Sequence, residues 1–131
     1  MEKALDGFPS LADKIRRAFA GRGLSAFGGL LAEEVTWGDV DNPRGCRNRS
    51  DVLSVFALLL DKGVVANICE LETGTAGILC ELTVEWPEGD PRGIEPSLLH
   101  VYMVKDDRIY QIRRYDDRES AKQAAGINKE R

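Results

Sequence analysis

Asp39 is the residue whose type and position best suit proton-transfer chemistry. It lies in a short predicted strand over residues 35–40, where period-two alternation places it on the same face as Trp37. Burial of a carboxylate among apolar side chains raises its pKa toward the range of a general base at neutral pH. The alternative is an aspartate that caps the following loop in solvent. We therefore name Asp39 as the candidate base and Trp37 as a candidate pocket residue.

His100 is the single histidine of the chain and the second candidate for chemistry. It lies in a predicted strand between Leu99 and Val101, on the same face as Tyr102. A neutral imidazole can donate to a developing oxyanion or relay a proton. The alternative is a core or sheet-face histidine that is hydrogen-bonded to a neighbour. If Asp39 and His100 both face an apolar cavity, burial raises the pKa of the first and lowers that of the second.

The strand predicted over residues 108–116 has two possible inner faces. One face carries Tyr110, Ile112, Arg114 and Asp116, and the other carries Ile109, Gln111, Arg113 and Tyr115. Periodicity leaves the choice open, because a tight and a bulged hairpin turn differ in register by one residue. An inward arginine would pair with a carboxylate or bind an anionic substrate in a bidentate manner. A surface arginine would instead bridge to glutamates across the sheet.

Composition predicts one soluble domain over residues 1–131, with a core at about residues 8–126. The 22 acidic and 18 basic residues give a net charge of −4, which disfavours a nucleic-acid binder. No apolar run approaches a membrane span and no secretory signal is present, so we expect a cytoplasmic protein. One histidine, three cysteines without metal-site spacing and no phosphate-binding loop predict no metal and no cofactor.

The order of predicted elements indicates an α+β fold, with three N-terminal helices packed into a strongly curved antiparallel sheet. The first helix begins after Pro9-Ser10, and the second begins at Ser25 and directs Leu31 inward. A third helix follows the strand at 35–40, with Val52, Val55, Phe56, Leu59 and Leu60 at helical spacing. Four strands are predicted at 64–73, 77–87, 97–105 and 108–116, before a last helical segment at 117–125.

Several motifs, in their order and spacing, resemble the nuclear transport factor 2-like superfamily and its SnoaL-like small-molecule branch. The motifs are Gly23-Leu24-Ser25-Ala26-Phe27, Leu31-Ala32-Glu33-Glu34-Val35-Thr36-Trp37-Gly38-Asp39, His100-Val101-Tyr102-Met103-Val104, Arg108-Ile109 and Tyr115-Asp116-Asp117-Arg118-Glu119-Ser120-Ala121. The resemblance covers about residues 8–126 and implies a cone-shaped, cystatin-like α+β barrel. This fold hosts isomerases, dehydratases, cyclases, epoxide hydrolases and non-catalytic proteins.

Compared with the ketosteroid isomerases of this superfamily, two candidate residues fall at matching positions. Asp39 falls where these enzymes carry the aspartate base, and His100 falls near their oxyanion-binding protonated aspartate. Ile15 stands where they carry a tyrosine, and the resemblance implies that this position lines the pocket. Half of the oxyanion hole is therefore missing, and steroid isomerisation is not predicted.

Comparison with limonene epoxide hydrolases points to the same end of the cone. Trp37 and Asp39 stand where those enzymes carry a tyrosine and an asparagine, and an inward aspartate of theirs falls near Arg114. Their arginine–aspartate pair on a middle strand has no counterpart here, so epoxide hydrolysis by that triad is not predicted. The resemblance favours Ile112, Arg114 and Asp116 as the inward residues of the last strand.

Together these observations predict a protein with a small-molecule pocket. The favoured function is a cofactor-free isomerase, lyase or cyclase-type enzyme that acts on a small apolar carbonyl or hydroxyl compound, of polyketide or terpenoid character. Asp39 and His100 would be the catalytic residues. The alternative is a non-catalytic ligand-binding or interaction module. A homodimer through the sheet face is usual in the resembling families, and Ile68 and Leu79 are expected to add apolar area there.

Overall fold

The structure, a computed structural model, describes residues 10–21, 24–37, 47–89 and 94–127. Four helices and five strands lie in these ranges: α1 (Leu11–Gly21), α2 (Leu24–Gly28), β1 (Leu31–Trp37), α3 (Arg49–Asp61), β2 (Val65–Thr73), β3 (Gly77–Glu85), β4 (Ile94–Lys105), β5 (Arg108–Tyr115) and α4 (Arg118–Ala125). The predicted α+β order is confirmed.

The first and last helices begin and end where local side-chain chemistry predicts. The Ser10 hydroxyl accepts a hydrogen bond from the Asp13 amide at 3.1 Å, which satisfies one free N–H group at the start of α1. The Asp117 carboxylate accepts from the Ser120 amide at 2.8 Å and caps α4 in the same way. Gly126 ends α4 with a φ of 77°, a left-handed conformation that glycine adopts without strain.

The five strands form one sheet in the order β1-β5-β4-β3-β2. Three of the four strand pairs are antiparallel, as predicted, but β1 pairs with β5 in parallel. The parallel pair arises because β1 and β5 are far apart in the sequence, and β1 adds to the free edge of the hairpin made by β4 and β5. β1 and β2 remain at opposite edges, so the sheet curls without closing.

Each face of the sheet has its own hydrophobic cluster. On the inner face, α1, α2 and α3 pack against the sheet around Ile15, Phe27, Val52 and Tyr102. The outer face carries a smaller cluster under α4, whose buried members are Leu79, Val101, Met103, Ala121 and Ala125. The sheet is therefore covered by helices on both sides, and α4 gives the outer face a core of its own.

Four expectations from the sequence are wrong in detail. Leu31 is the first residue of β1 and does not belong to the second helix. Leu60 of α3 is 41% exposed, because the inward side of that helix runs through Val52. Ile68 packs on the inner cluster opposite Leu82, since a bulge follows it in β2. Leu79 does face outward, but α4 covers it completely.

A bulge next to the β4–β5 turn decides which side of β5 faces inward. Val104 pairs with Ile109, whereas Met103 pairs with Gln111, so one residue of β5 is left over. Ile109 and Ile112 are consequently both buried in the inner cluster. Beyond the bulge, Arg114 lies opposite His100 on the inner face. The face that the resemblance favours is thus the inner one at Ile112 and Arg114.

No helix in the described ranges has both the length and the apolar composition that a membrane-spanning helix needs.

Candidate functional site

A cavity of about 340 Å³ opens between the helices and the inner face of the sheet. Its described lining residues come from α1, α3 and all strands, and most of them are aromatic or aliphatic. They are Phe19, Trp37, Phe56, Leu59, Val64, Ala66, Leu82, Val84, Trp86, Leu98, His100, Tyr102 and Arg114. This volume suits a small organic molecule, and the lining suits one that is largely apolar.

His100 contributes a buried polar group to this lining, at 9% exposure. Its ring lies 6.2 Å from that of Trp37 and 6.3 Å from that of Tyr102, centroid to centroid. No side-chain hydrogen bond joins the imidazole to another residue of the described ranges. A buried polar group without a partner is costly, because it has given up its hydrogen bonds to water. Among the described residues, no side chain satisfies the ring nitrogens of His100.

Three inward residues form a row across the sheet with His100 at its centre. His100 on β4 pairs with Cys80 on β3 at one side and with Arg114 on β5 at the other. The hydroxyl of Tyr102, two residues along β4, donates a hydrogen bond to the Cys80 thiol. Cys80 is thus engaged, whereas Arg114 lines the cavity as an exposed cation that forms no ion pair with a described carboxylate.

Burial sets the protonation state of these groups. It lowers the pKa of His100 from 6.5 to about 4, and the positive charge of Arg114 adds to this effect. The downward shift predicted from the sequence is confirmed, and the imidazole is neutral near pH 7. Burial also raises the pKa of Cys80 to about 12, although the hydrogen bond from Tyr102 opposes the change. Both His100 and Cys80 therefore remain uncharged in the folded protein.

The sequence-predicted site residues divide into four groups. Trp37, Tyr102, His100 and Arg114 line the same cavity. Two other residues, Ile15 and Ile112, are fully buried in the inner cluster and are not among the cavity's described lining residues. Asp116 is exposed at the end of the last strand and is likewise not among the described lining residues. Asp39, the candidate base, lies outside the described residues.

Sequence reasoning missed most of the apolar lining. Leu82, Val84 and Trp86 form one face of the alternating segment at 77–87, and that alternation was a sufficient signal to include them. Phe56 lies against Trp37 edge to face, with centroids 5.0 Å apart. No sequence pattern marks Val64, which directly precedes β2, as a cavity residue. Its position in the lining depends on how the sheet curves at β2.

A second hollow, of about 640 Å³, lies at the surface beside the start of α3. Two of its polar side chains, Asn48 and Arg49, are engaged in hydrogen bonds of the fold. The Asn48 side chain accepts from the Asp51 amide at 2.9 Å, and the Arg49 guanidinium donates to the Leu31 carbonyl at 3.4 Å. The inner cavity is therefore the stronger candidate for a functional site.

Within the described ranges, no group of three or more His, Cys, Asp or Glu side chains lies close enough together to hold a metal ion.

Comparison with known proteins gives structural relatives only. No protein-family model matches the sequence, and no curated protein matches it significantly. A proposed polyketide cyclase from Sinorhizobium meliloti is similar with a TM-score of 0.64 at 17% identity, covering 86% of this chain and 99% of that chain. An LEH-like epoxide hydrolase from Mycobacterium tuberculosis has a TM-score of 0.63 at 17% identity, covering 88% and 81%.

A third similar structure is a nuclear transport factor 2-like protein of unknown function from Burkholderia pseudomallei. Its TM-score is 0.62 at 15% identity, covering 88% of this chain and 94% of that chain. Identities this low establish a shared fold and leave the activity undetermined. The chain therefore has the fold of the nuclear transport factor 2-like proteins, the cone-shaped, cystatin-like α+β fold that its sequence predicts.

Proposed function

We propose that the protein binds a small, largely apolar molecule with a carbonyl or hydroxyl group in the inner cavity and transforms it by cofactor-free proton transfer. The observation that supports this most strongly is the buried His100 imidazole, which lacks a hydrogen-bond partner among the described residues. The surrounding lining is apolar apart from Arg114 and the hydroxyl of Tyr102. A carbonyl or hydroxyl oxygen of a bound molecule would satisfy the imidazole, while the apolar body would fill the cavity.

In this reaction His100 acts as a hydrogen-bond donor and does not take up the proton. A group with a pKa of about 4 is a weak base near pH 7, but its N–H group remains available for donation. Donation to a carbonyl oxygen stabilises the negative charge that develops when a neighbouring C–H proton is removed. The base that removes this proton is Asp39, as the sequence predicts. The fold's occurrence in a proposed polyketide cyclase and an epoxide hydrolase is compatible with such chemistry.

A second candidate function is ligand binding without turnover. It is favoured by the absence of any carboxylate from the described lining, so catalysis depends on Asp39 alone for its base. The two functions share the cavity and differ in whether a proton leaves the ligand.

Proton transfer can be tested without the natural substrate. Cyclohexylacetone, a small apolar ketone, is incubated with the protein in D2O, and exchange of its α-protons is followed by NMR. We expect the wild-type protein to accelerate exchange over buffer, and Asp39→Asn to lower the rate by a factor of about 100 or more. Asp61→Asn, at the exposed end of α3, is the matched control and should exchange at the wild-type rate.

Binding is measured in parallel by calorimetry. Asp39→Asn should bind cyclohexylacetone within a few-fold of wild type, because the ketone contacts mainly the apolar lining. Binding without accelerated exchange in the wild-type protein would contradict the enzyme and favour the ligand-binding alternative.

A further inference from the structure

The cavity combines one neutral and one cationic donor at adjacent positions. His100 and Arg114 are direct partners across the β4–β5 ladder, and both line the cavity. Cross-strand partners have Cα atoms about 5 Å apart, so their side chains can contact neighbouring atoms of one ligand. The remaining described lining is apolar except for Tyr102, whose hydroxyl is bonded to Cys80. The polar chemistry of the cavity is therefore concentrated at this pair.

The charge of Arg114 has no counterpart within the described structure. Both ion pairs among the described residues are made by Arg118, on the outer face, with Glu70 and Glu81. No acidic side chain is among the described residues that line the cavity. Arg114 is exposed to solvent at the edge of the cavity, and its positive charge can attract an anion to this end of the apolar lining. Carboxylates fit its planar pair of N–H donors particularly well.

Resting on the proposed function, we infer that the ligand is an apolar acid with a carbonyl or hydroxyl oxygen next to its carboxylate, such as an α- or β-keto acid. The carboxylate binds the Arg114 guanidinium, and the adjacent oxygen accepts from His100. The apolar body lies among the aromatic side chains, including Phe56 and Trp86. Only an acid with both oxygen groups close together satisfies both donors at once.

Three probes of one skeleton separate the two contacts. Cyclohexylpyruvate carries the ketone and the carboxylate, cyclohexylacetone replaces the carboxylate by a methyl group, and cyclohexylpropanoate lacks the ketone. Binding is measured by isothermal titration calorimetry at pH 7. We expect cyclohexylpyruvate to bind at least about tenfold more tightly than either of the others. Cyclohexylacetone lacks the charge-assisted hydrogen bond with Arg114, and cyclohexylpropanoate lacks the neutral hydrogen bond with His100.

The matched variants are Arg114→Gln and Arg113→Gln. Arg113 lies next in sequence, but its guanidinium bonds to Gln111 and Tyr115 rather than lining the cavity. Arg114→Gln should bring cyclohexylpyruvate and cyclohexylacetone to within about twofold of each other, because cyclohexylpyruvate loses its contact with the guanidinium. Arg113→Gln should retain the wild-type preference. Circular dichroism confirms that each variant is folded.

The outcomes distinguish this inference from the proposed function. If wild type binds cyclohexylacetone as tightly as cyclohexylpyruvate, or if Arg114→Gln retains the preference, carboxylate recognition by Arg114 is wrong and the apolar-ligand proposal stands. Equal affinities for cyclohexylpyruvate and cyclohexylpropanoate would exclude the role of His100. If none of the three probes binds, both proposals are overturned.

Discussion

His100 and Arg114 face each other across the β4–β5 ladder, and the side chains of both line one cavity. The pair unites two different donors. The guanidinium is a cationic donor, whereas burial and the nearby guanidinium lower the pKa of the imidazole and keep it neutral near pH 7. A permanent cation and a neutral hydrogen-bonding group are thereby held at fixed positions by strand pairing, without a connecting loop whose motion could separate them.

Stability should depend on pH through His100. Burial lowers its pKa from 6.5, the ordinary value expected in the unfolded chain, to about 4 in the folded protein. Above pH 6.5 both states are neutral, so the full stability is present; as the pH falls toward 4, only the unfolded state gains the proton, and stability decreases. Between pH 7.5 and 4.5 we expect His100 to reduce the free energy of unfolding by roughly 2–3 kcal/mol.

Urea unfolding of wild type and His100→Phe at these two pH values isolates this contribution, because the carboxylates titrate in both proteins. The pH-dependent loss of unfolding free energy should be smaller in the variant by roughly the same 2–3 kcal/mol. Identical losses in the two proteins would show that His100 is readily protonated in the folded state.

The two described cysteines should differ sharply in reactivity. Cys69 is exposed, whereas Cys80 is buried with its pKa raised to about 12. Because the thiolate is the reactive form, Cys80 should react with a disulfide reagent at pH 8 roughly 100-fold or more slowly than Cys69. In a Cys46→Ser background, one thiol should react rapidly and the second only after unfolding. Adding Cys69→Ser should abolish the rapid phase, and two rapid thiols would contradict the buried position of Cys80.

Gly74→Ala should loosen the attachment of α4. A Cβ atom at this position would lie 2.1 Å from the Ala125 carbonyl oxygen, a backbone atom that cannot rotate away. We expect a loss of about 2 kcal/mol or more in the free energy of unfolding by urea. Faster hydrogen exchange at the Ala76 amide, which donates to the Ala125 carbonyl at 2.9 Å, should accompany the loss.

Gly21→Ala is the matched control, since a Cβ atom there meets nothing within 4 Å. Alanine is the better helix former, so this variant should be unchanged or more stable by up to about 1 kcal/mol. Equal effects of the two substitutions would mean that the contact between Gly74 and α4 is not made in solution.

Asn48→Ala should weaken the start of α3. The Asn48 side chain accepts from the Asp51 amide at 2.9 Å, and removal of an N-cap acceptor typically reduces stability by about 1 kcal/mol. Asn48→Ser retains an acceptor and should recover most of this stability in the same thermal or urea unfolding measurement. Equal stability of the alanine and serine variants would exclude the cap as the source of the effect.

Much of the fold could be predicted because local signals and tertiary packing agree. The first helix is predicted to begin after Ser10, and the hydrogen bond that caps its start is present. The last helical segment is predicted over residues 117–125, and α4 ends at Ala125. Each signal acts within a few residues, so no knowledge of the rest of the chain was needed.

The direction in which a side chain faces could not be predicted from the sequence where a β-bulge or a distant strand determines it. Ile68 faces inward because the bulge in β2 lets it and Glu70 oppose consecutive residues of β3. The bulge at the β4–β5 turn similarly directs Ile109 and Ile112 to one side. Alternation assumes an unbroken ladder, so a bulge inverts every orientation beyond it. The candidate site was consequently predictable at His100 and Trp37 but not along the walls formed by curled β2.

The separate hydrophobic cluster beneath α4 influences which residues of the sheet can be substituted without loss of the fold. The inner face lines a cavity, so its packing is incomplete, whereas Leu79 and Val101 on the outer face are fully buried. The outer face thus contributes the packing against α4 that stabilises the sheet, whereas the inner face of the same strands lines the cavity. Cavity residues such as Phe56 and Leu98 can be exchanged for others of similar size while the outer side continues to hold the strands in register. Directed evolution of new ligand preferences should therefore begin at these positions and leave the α4 contacts untouched.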